Sequence, residues 1–273
     1  MARHSRAASP RGRGRLTVRQ ALALGLIQGP AELLPVSSSG HLVLVPALLG
    51  WPYARLDAHV RKTFEVALHT GAGLALAWLR REDARAALLD PAGTALLAGP
   101  AAAIAFALEP VIEERLSNPR VAATAQIASG CALAVTDMGG VRPRHTGDAP
   151  RALDRLIIGL AQTAALIPGV SRNGATLTAA RALGFRRADA ARLSWRAGLP
   201  IIGGATVLKL ARVAQRGLDR DLRAPFAAGA AAAFASTLAA RPLLRLAERP
   251  YAPLAAYRVA LGALALRRLH RLQ

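Results

Sequence analysis

Cysteine, lysine and aromatic side chains are scarce in this 273-residue chain. The single Cys131 excludes an intramolecular disulfide framework. Aromatic residues make up 4%, which is low for a soluble core. Lys62 and Lys209 are the only lysines, so arginine carries nearly all the positive charge, a compositional bias as much as a functional choice. Acidic residues are few as well: 16 against 36 basic ones, for a formal net charge of +20. Apolar residues abound. They form 53% of the chain, or about 62% with glycine, against roughly 45–50% in soluble domains, which argues against disorder.

A charge of +20 suggests nucleic acid, anionic lipid or an anionic substrate as partner. Nucleic-acid binders gather Arg on one face or along one helix. Here the arginines punctuate long uncharged stretches. Residues 20–54 carry one formal charge, Glu32, and residues 91–108, 121–136, 156–171 and 224–240 carry none. A membrane-spanning helix needs about 20 mostly apolar residues, and flanking Arg can snorkel to the headgroups. The pattern is that of a polytopic all-α membrane protein with membrane lipids as its surroundings and no nucleic acid as partner. A soluble, Ala-rich helical protein is the competing reading. Residues 1–19 are basic and lack the apolar core of a signal peptide; they read as a disordered flank of the first membrane element.

Residues 20–54 are too long for one ordinary span and contain Pro30, Pro35, Pro46 and Pro52. Proline inside a helix removes a backbone hydrogen bond and kinks it. The polar run Ser37-Ser38-Ser39-Gly40-His41 lies in the middle of this segment. Irregular polar backbone at membrane depth is tolerated only where protein buries it or a watery cavity meets it. Two half-helices meeting at a polar turn, a re-entrant pair, are therefore expected. Crossings are expected near 63–80, 92–112 and 120–137, followed by a hydrophilic connection, 137–155. A second broken element near 155–185 leads to crossings near 193–212, 224–241 and 251–268. The arginines flanking these segments show no clear asymmetry, so orientation is not readable.

The halves, about 20–137 and 155–268, resemble each other within a single membrane domain, 20–273. Gly25-Leu-Ile-Gln28 matches Gly159-Leu-Ala-Gln162 at an offset of 134, and Val36, Ser37 and Gly40 match Val170, Ser171 and Gly174 at the same offset. Interrupted apolar segments at corresponding positions mark a structural repeat with the site at its interface. Three crossings per half make the expected repeat inverted: about six transmembrane helices plus two re-entrant pairs.

Glu32 is an ionisable group inside an apolar segment, which is a functional hypothesis by default. Gln28 lies four residues before it on the same helical face. His41 closes the polar turn after Ser37, Ser38 and Ser39, and a His near a Glu suits acid–base or nucleophilic work. In the second half, Arg172 follows a 16-residue uncharged run. Its guanidinium fork suits phosphate, with Ser171, Asn173, Gly174 and Thr176 supplying further donors. A helix beginning there would favour an anion as well. Together the groups propose a phosphate site in which Arg172 holds charge while Glu32, His41 and a serine do the chemistry.

Two segments, Gln28-Gly-Pro-Ala-Glu32-Leu-Leu-Pro35-Val-Ser-Ser-Ser-Gly-His41 and Pro168-Gly-Val-Ser-Arg172-Asn-Gly-Ala-Thr176, resemble the motifs of the undecaprenyl-diphosphatase, or bacitracin-resistance, family. Lys62-Thr-Phe-Glu65-Val resembles that family too, and the likeness runs from about residue 17 to 268. It implies a multi-pass enzyme of the bacterial plasma (inner) membrane that hydrolyses undecaprenyl diphosphate to undecaprenyl phosphate and inorganic phosphate. That reaction recycles the lipid carrier of peptidoglycan synthesis and confers bacitracin resistance. The resemblance places catalytic roles on Glu32, Ser38, His41 and Arg172. The phosphate-site reading of the residues adds substrate contacts at Gln28, Ser37, Ser39, Ser171, Asn173, Gly174 and Thr176. The resemblance also implies Mg²⁺ or Ca²⁺, with Glu32 as a metal ligand.

Two departures bear on the site. Many members have Glu where Gln28 stands, which weakens a two-carboxylate metal clamp. Asn173 replaces a common Ser and keeps its hydrogen bonding. His69 and Arg196 interrupt apolar segments and carry no assigned role. Ser38, His41 and water remain open as the attacking group. The oligomeric state is open as well, with a homodimer among the allowed assemblies. The main rival function is a transporter or flippase of a polyprenyl phosphate carrier, since broken helices in inverted repeats are common among transporters.

Overall fold

The computed structural model describes residues 15–111, 118–139, 149–217 and 219–271. Most of the basic N-terminal tail and residues 140–148 of the central connection lie outside the described residues. Among the described residues every regular element is helical.

The first broken element is α1 (Val18–Leu33) followed by α2 (Ser38–Leu49). Thr17, counted with the tail from sequence, opens α1 through a capping box: its hydroxyl accepts from Gln20 N at 3.2 Å and Gln20 Oε1 accepts from Thr17 N at 3.1 Å. Leu34, forced to extended backbone before Pro35, ends the helix. Ser37 then takes φ 72° and caps α2, its Oγ accepting from Gly40 N at 3.1 Å.

The second broken element repeats the device. α7 (Ala152–Gln162) passes into a 3₁₀ turn, Thr163–Leu166, and α8 (Arg172–Ala182) starts after it. Ser171 takes φ 69° and its Oγ accepts from Gly174 N at 3.0 Å. Among the described residues these two serines are the only non-glycine positions with positive φ, and they stand at the offset already seen in the sequence.

The long helices fall on the expected segments. They are α3 (Ala58–Leu79), α5 (Pro91–Val111), α6 (Pro119–Met138), α9 (Arg187–Arg216), α10 (Arg220–Ala239) and α11 (Ala252–Arg271). A short helix, α4 (Arg81–Leu89), lies between the first two of them. By length and composition two helical stretches among the described residues can cross a membrane, Pro91–Leu108 in α5 and Pro119–Met138 in α6. A third is α10 taken with the 3₁₀ segment Arg241–Glu248, which bends from it by 57°. Outward faces carry bare apolar side chains, Trp78 at 68% and Phe106 at 75% exposure among them, as lipid contact requires.

Small residues let the helices close on one another. A Cβ at Gly25 or Gly29 of α1 would collide with α10 backbone at Gly229 or Thr237, a close approach of the GxxxG kind. Ser236 Oγ on α10 donates to Gly25 O at 2.9 Å across that seam. Gly159 brings α7 equally close to Leu96 and Leu97 of α5. Thus α1 from the first half packs on α10 from the second, and α7 from the second packs on α5 from the first. Asp137, at the end of α6, accepts from Arg181 Nε at 3.0 Å, Arg187 Nε at 2.8 Å and Tyr251 N at 2.9 Å. It thereby ties α6 to α8, to α9 and to the start of α11.

Candidate active site

The ends of the two broken elements meet at a cavity of about 380 Å³, walled also by α3 and α9. Glu32, in the last turn of α1, is its central acid. Ser38, the first residue of α2, donates its hydroxyl to Glu32 Oε2 at 2.7 Å. Gln28 Nε2 donates to the same oxygen at 3.3 Å. From the second element, Arg172 Nη2 donates to Glu32 Oε1 at 3.2 Å. Four residues singled out from sequence are thus brought into one hydrogen-bonded cluster.

Arg172 is held on two sides. Its guanidinium lies 6.0 Å from the ring centre of the buried Trp195, and a Cβ at Gly198 would collide with its Nη1. That Nη1 is buried and has no hydrogen-bond partner among the described residues. Arg172 thus lines the cavity with one arm of its guanidinium on a carboxylate and the other packed on Gly198, and a guanidinium placed there suits an anionic oxygen.

The remaining candidates divide. Ser37, Ser39, Ser171 and Asn173 line the cavity. Ser37 and Ser171 spend their hydroxyls on the helix caps described above. Asn173 Nδ2 donates to Leu33 O at 3.2 Å and its Oδ1 accepts from Ser194 at 2.6 Å. Thr176 is buried beneath it, 2.6 Å from Ser194 Oγ, and does not line the cavity. Gly174 is also buried, where a Cβ would press on Arg258.

His41 is not brought to Glu32. Its Nδ1 lies 2.7 Å from Ser37 O, an acceptor only, so Nδ1 carries the proton. In the neutral ring Nε2 then accepts from Tyr257 O–H at 2.6 Å, and the two rings stack 5.7 Å apart.

Two residues without an assigned role turn out to belong here. His69 on α3 lines the cavity, with Nδ1 3.0 Å from Gln28 Nε2 and 3.4 Å from Glu32 Oε2. Its sequence signal was an imidazole four residues after Glu65, on the same face of an apolar helix. Arg258 on α11, fully buried, reaches both turns. Its Nη1 donates to Pro35 O at 3.0 Å, and its Nη2 donates to Val170 O at 2.7 Å, to Gly169 O at 3.0 Å and to Ser129 Oγ. Nothing in sequence separates it from the other arginines. Arg196 lies elsewhere, 3.9 Å from Asp83 of α4.

The chain matches the family model for bacitracin resistance protein BacA over residues 21–264. It belongs to that family. Among its curated relatives, the undecaprenyl-diphosphatase of Geobacter sulfurreducens is 41% identical over 253 residues, covering 86% of this chain and 91% of the relative. The enzyme of the same name from Trichlorobacter lovleyi is 38% identical, covering 89% and 93%. That of Thermomicrobium roseum is 37% identical, covering 90% and 96%. BacA membership and the membrane character of the apolar helices agree.

The hard cations expected from the resemblance meet a poor donor set. Mg²⁺ and Ca²⁺ take oxygen ligands, chiefly carboxylates. Glu32 is the carboxylate of the hydrogen-bonded cluster and Glu65 also lines the cavity, and among the described residues no group of three or more His, Cys, Asp or Glu gathers to hold a metal. These residues offer no closed protein cage for Mg²⁺ or Ca²⁺, and a hard cation here would take further oxygens from the substrate's phosphates.

Proposed function

We propose that this BacA-family protein hydrolyses undecaprenyl diphosphate to undecaprenyl phosphate and inorganic phosphate, and so recycles the carrier lipid and confers bacitracin resistance. One observation carries the reading: Arg172, Glu32 and Ser38 line one cavity, with Ser38 Oγ donating to the carboxylate that the guanidinium holds from its other oxygen. A transporter needs an anion clamp but no serine hydroxyl aimed at a carboxylate, and the relatives' names favour the hydrolase.

The chemistry follows from the geometry. Phosphoryl transfer asks mainly for positioning and charge stabilisation. The terminal phosphoryl group enters the cavity, and Arg172 binds its oxygens. The prenyl tail runs along the apolar wall formed by Leu34, Val43, Pro46, Val66 and Ile202. Ser38 Oγ attacks phosphorus and its proton passes to Glu32 Oε2. The bridging P–O bond breaks, and its electron pair leaves with undecaprenyl phosphate, which takes the proton from Glu32. Water then attacks the phosphoserine, giving a proton to Glu32. Glu32 returns that proton to Ser38 Oγ as inorganic phosphate departs. His41, with both ring nitrogens engaged, holds the first turn against α11 rather than attacking.

The finer architecture is part of the same proposal: about six crossings and an inverted repeat, in a multi-pass protein of the bacterial inner membrane. The repeat is supported by the matching caps at Ser37 and Ser171 and by the exchanged packing of α1 on α10 and α7 on α5.

The test is phosphate release from undecaprenyl diphosphate by detergent-purified protein, beside Arg172→Ala and Ser38→Ala. Each variant is expected to lose at least about 10²–10³ in kcat. Radiolabelled substrate should mark the wild type and not Ser38→Ala. No release by folded wild type under any metal condition would overturn the hydrolase and favour carrier transport.

A further inference from the structure

Gln28 and His69 sit against Glu32 and have no part in the steps by which Ser38 and Glu32 act. Their hydrogen bonds form one directed chain. Ser38 O–H and Arg172 Nη2 each donate to a different oxygen of Glu32, the arrangement an ionised carboxylate takes. A carboxylate has no proton to give, so the Gln28 atom 3.3 Å from Oε2 is the amide nitrogen and not the amide oxygen. That orientation has a cost: Gln28 is fully buried, and its Oε1 has no hydrogen-bond partner among the described residues. Turning the amide over would set that oxygen against the carboxylate oxygen instead.

An amide nitrogen carries two protons. The second meets His69 Nδ1 on α3, 3.0 Å away. A donor there requires Nδ1 to accept, so the neutral ring carries its proton on Nε2. No group among the described residues takes that proton. The side chain is 35% exposed and lines the same cavity as Glu32, Ser38 and Arg172. The carboxylate orients the amide, the amide sets the tautomer, and the tautomer leaves an N–H donor in the cavity wall.

We propose that His69 Nε2–H donates a hydrogen bond to a non-bridging phosphoryl oxygen of the bound diphosphate, with Gln28 as the positioning residue that fixes its tautomer. Positioned donors on the transferring phosphoryl oxygens are what this chemistry chiefly asks for. Arg172 on α8 and His69 on α3 then hold the group from two different helices. A neutral ring suits the place, because a protonated one would turn a second donor on Glu32 Oε2, 3.4 Å away, and compete there with Ser38. The inference deepens the hydrolase reading and rests on it for the identity of the ligand.

Two measurements test it, and one needs no turnover. Protein labelled with ¹⁵N-histidine is followed by NMR in detergent, and the His69 signals, among those of six histidines, are assigned by their loss in His69→Gln. The free protein at neutral pH should show a protonated Nε2 and a bare Nδ1. A prenyl methylenediphosphonate, whose bridging CH₂ resists hydrolysis, should shift the Nε2 signal. Gln28→Leu should let the proton move to Nδ1, toward Glu32; an unchanged tautomer there removes Gln28 from the account. His69→Leu should bind the analogue at least about 10-fold more weakly, and His69→Gln, whose amide nitrogen falls near the place of Nε2, should recover most of the loss. With undecaprenyl diphosphate, His69→Leu should lower kcat by about 10²-fold. A proton on Nδ1 or a doubly protonated ring in the wild type, an Nε2 signal indifferent to the analogue, or analogue affinity in His69→Leu within about twofold of wild type overturns the proposal. The wild-type spectra decide the matter even where His69→Leu does not fold. If the analogue behaves as expected while folded wild type releases no phosphate, the hydrolase reading falls and the His69 contact stands as part of a diphosphate-binding site.

Discussion

Arg258→Met removes the one side chain that grips both polar turns while filling much of the same volume with apolar atoms. Three buried carbonyls, Pro35 O, Gly169 O and Val170 O, lose a charged donor. A buried carbonyl left unmade costs about 1–3 kcal/mol in water-soluble proteins, and side-chain hydrogen bonds inside membranes average nearer ~0.6. Three such losses, partly offset because the guanidinium is no longer buried without a counterion, leave a net destabilisation of about 2–4 kcal/mol. The effect on turnover is larger. Ser38 lies three residues beyond Pro35 and Arg172 two beyond Val170, so slack in either turn moves a reacting group. A displacement near 1 Å costs about 100-fold in rate. Phosphate release at saturating substrate should therefore fall by about 100-fold with KM little changed, alongside a lowered thermal midpoint. Arg258→Lys, whose ammonium can serve one turn but not both, should recover about tenfold of the loss. A Met variant with kcat within about threefold of wild type and an unchanged thermal midpoint would show that the turns hold their geometry without the tether.

Gly198→Ala places a methyl where Arg172 Nη1 now lies; kcat should fall by about 10²-fold with the thermal midpoint nearly unmoved, as phosphate release and thermal unfolding will check together. Asp137→Ala strips the buried acceptor from Arg181 and Arg187; stability should drop by about 3–5 kcal/mol, read as a lower midpoint in thermal or denaturant unfolding, while protein that remains folded turns over normally.

The broken elements were legible because proline and a polar serine run interrupt apolar sequence, which leaves the backbone few alternatives. The match between Ser37 and Ser171 was legible because their capping role fixes both the residue type and the glycine three positions on. Glu32, Ser38, Gln28 and Arg172 were legible as a group, since rare polar residues in apolar segments must find one another. His41 shows the limit of that reasoning: proximity along the chain put it near Glu32, yet the helical turn at Ser37 directs it to Tyr257. Arg258 was invisible because its meaning lies in carbonyls that any residue carries, and Pro35, the farthest of them, is 223 positions away. His69 stood out as an imidazole in an apolar segment but had no role because its partners lie on another helix, and Gly198 was hidden by the space it leaves empty. α4 was missed because a short helix between two longer ones has no apolar run of its own.

The seam between α1 and α10 has a temporal side. Gly229, against which Gly25 of α1 closes, leaves the ribosome about 200 residues after it; at 5–20 residues per second α1 waits roughly 10–40 s for its partner. Throughout that interval its glycine-lined face and Glu32 stand uncovered in the bilayer, beside a guanidinium not yet made. During the wait α2 and α3, which also touch α1, are the neighbours available to it, and a defect on the glycine-lined face of α1 would be felt only when α10 arrives.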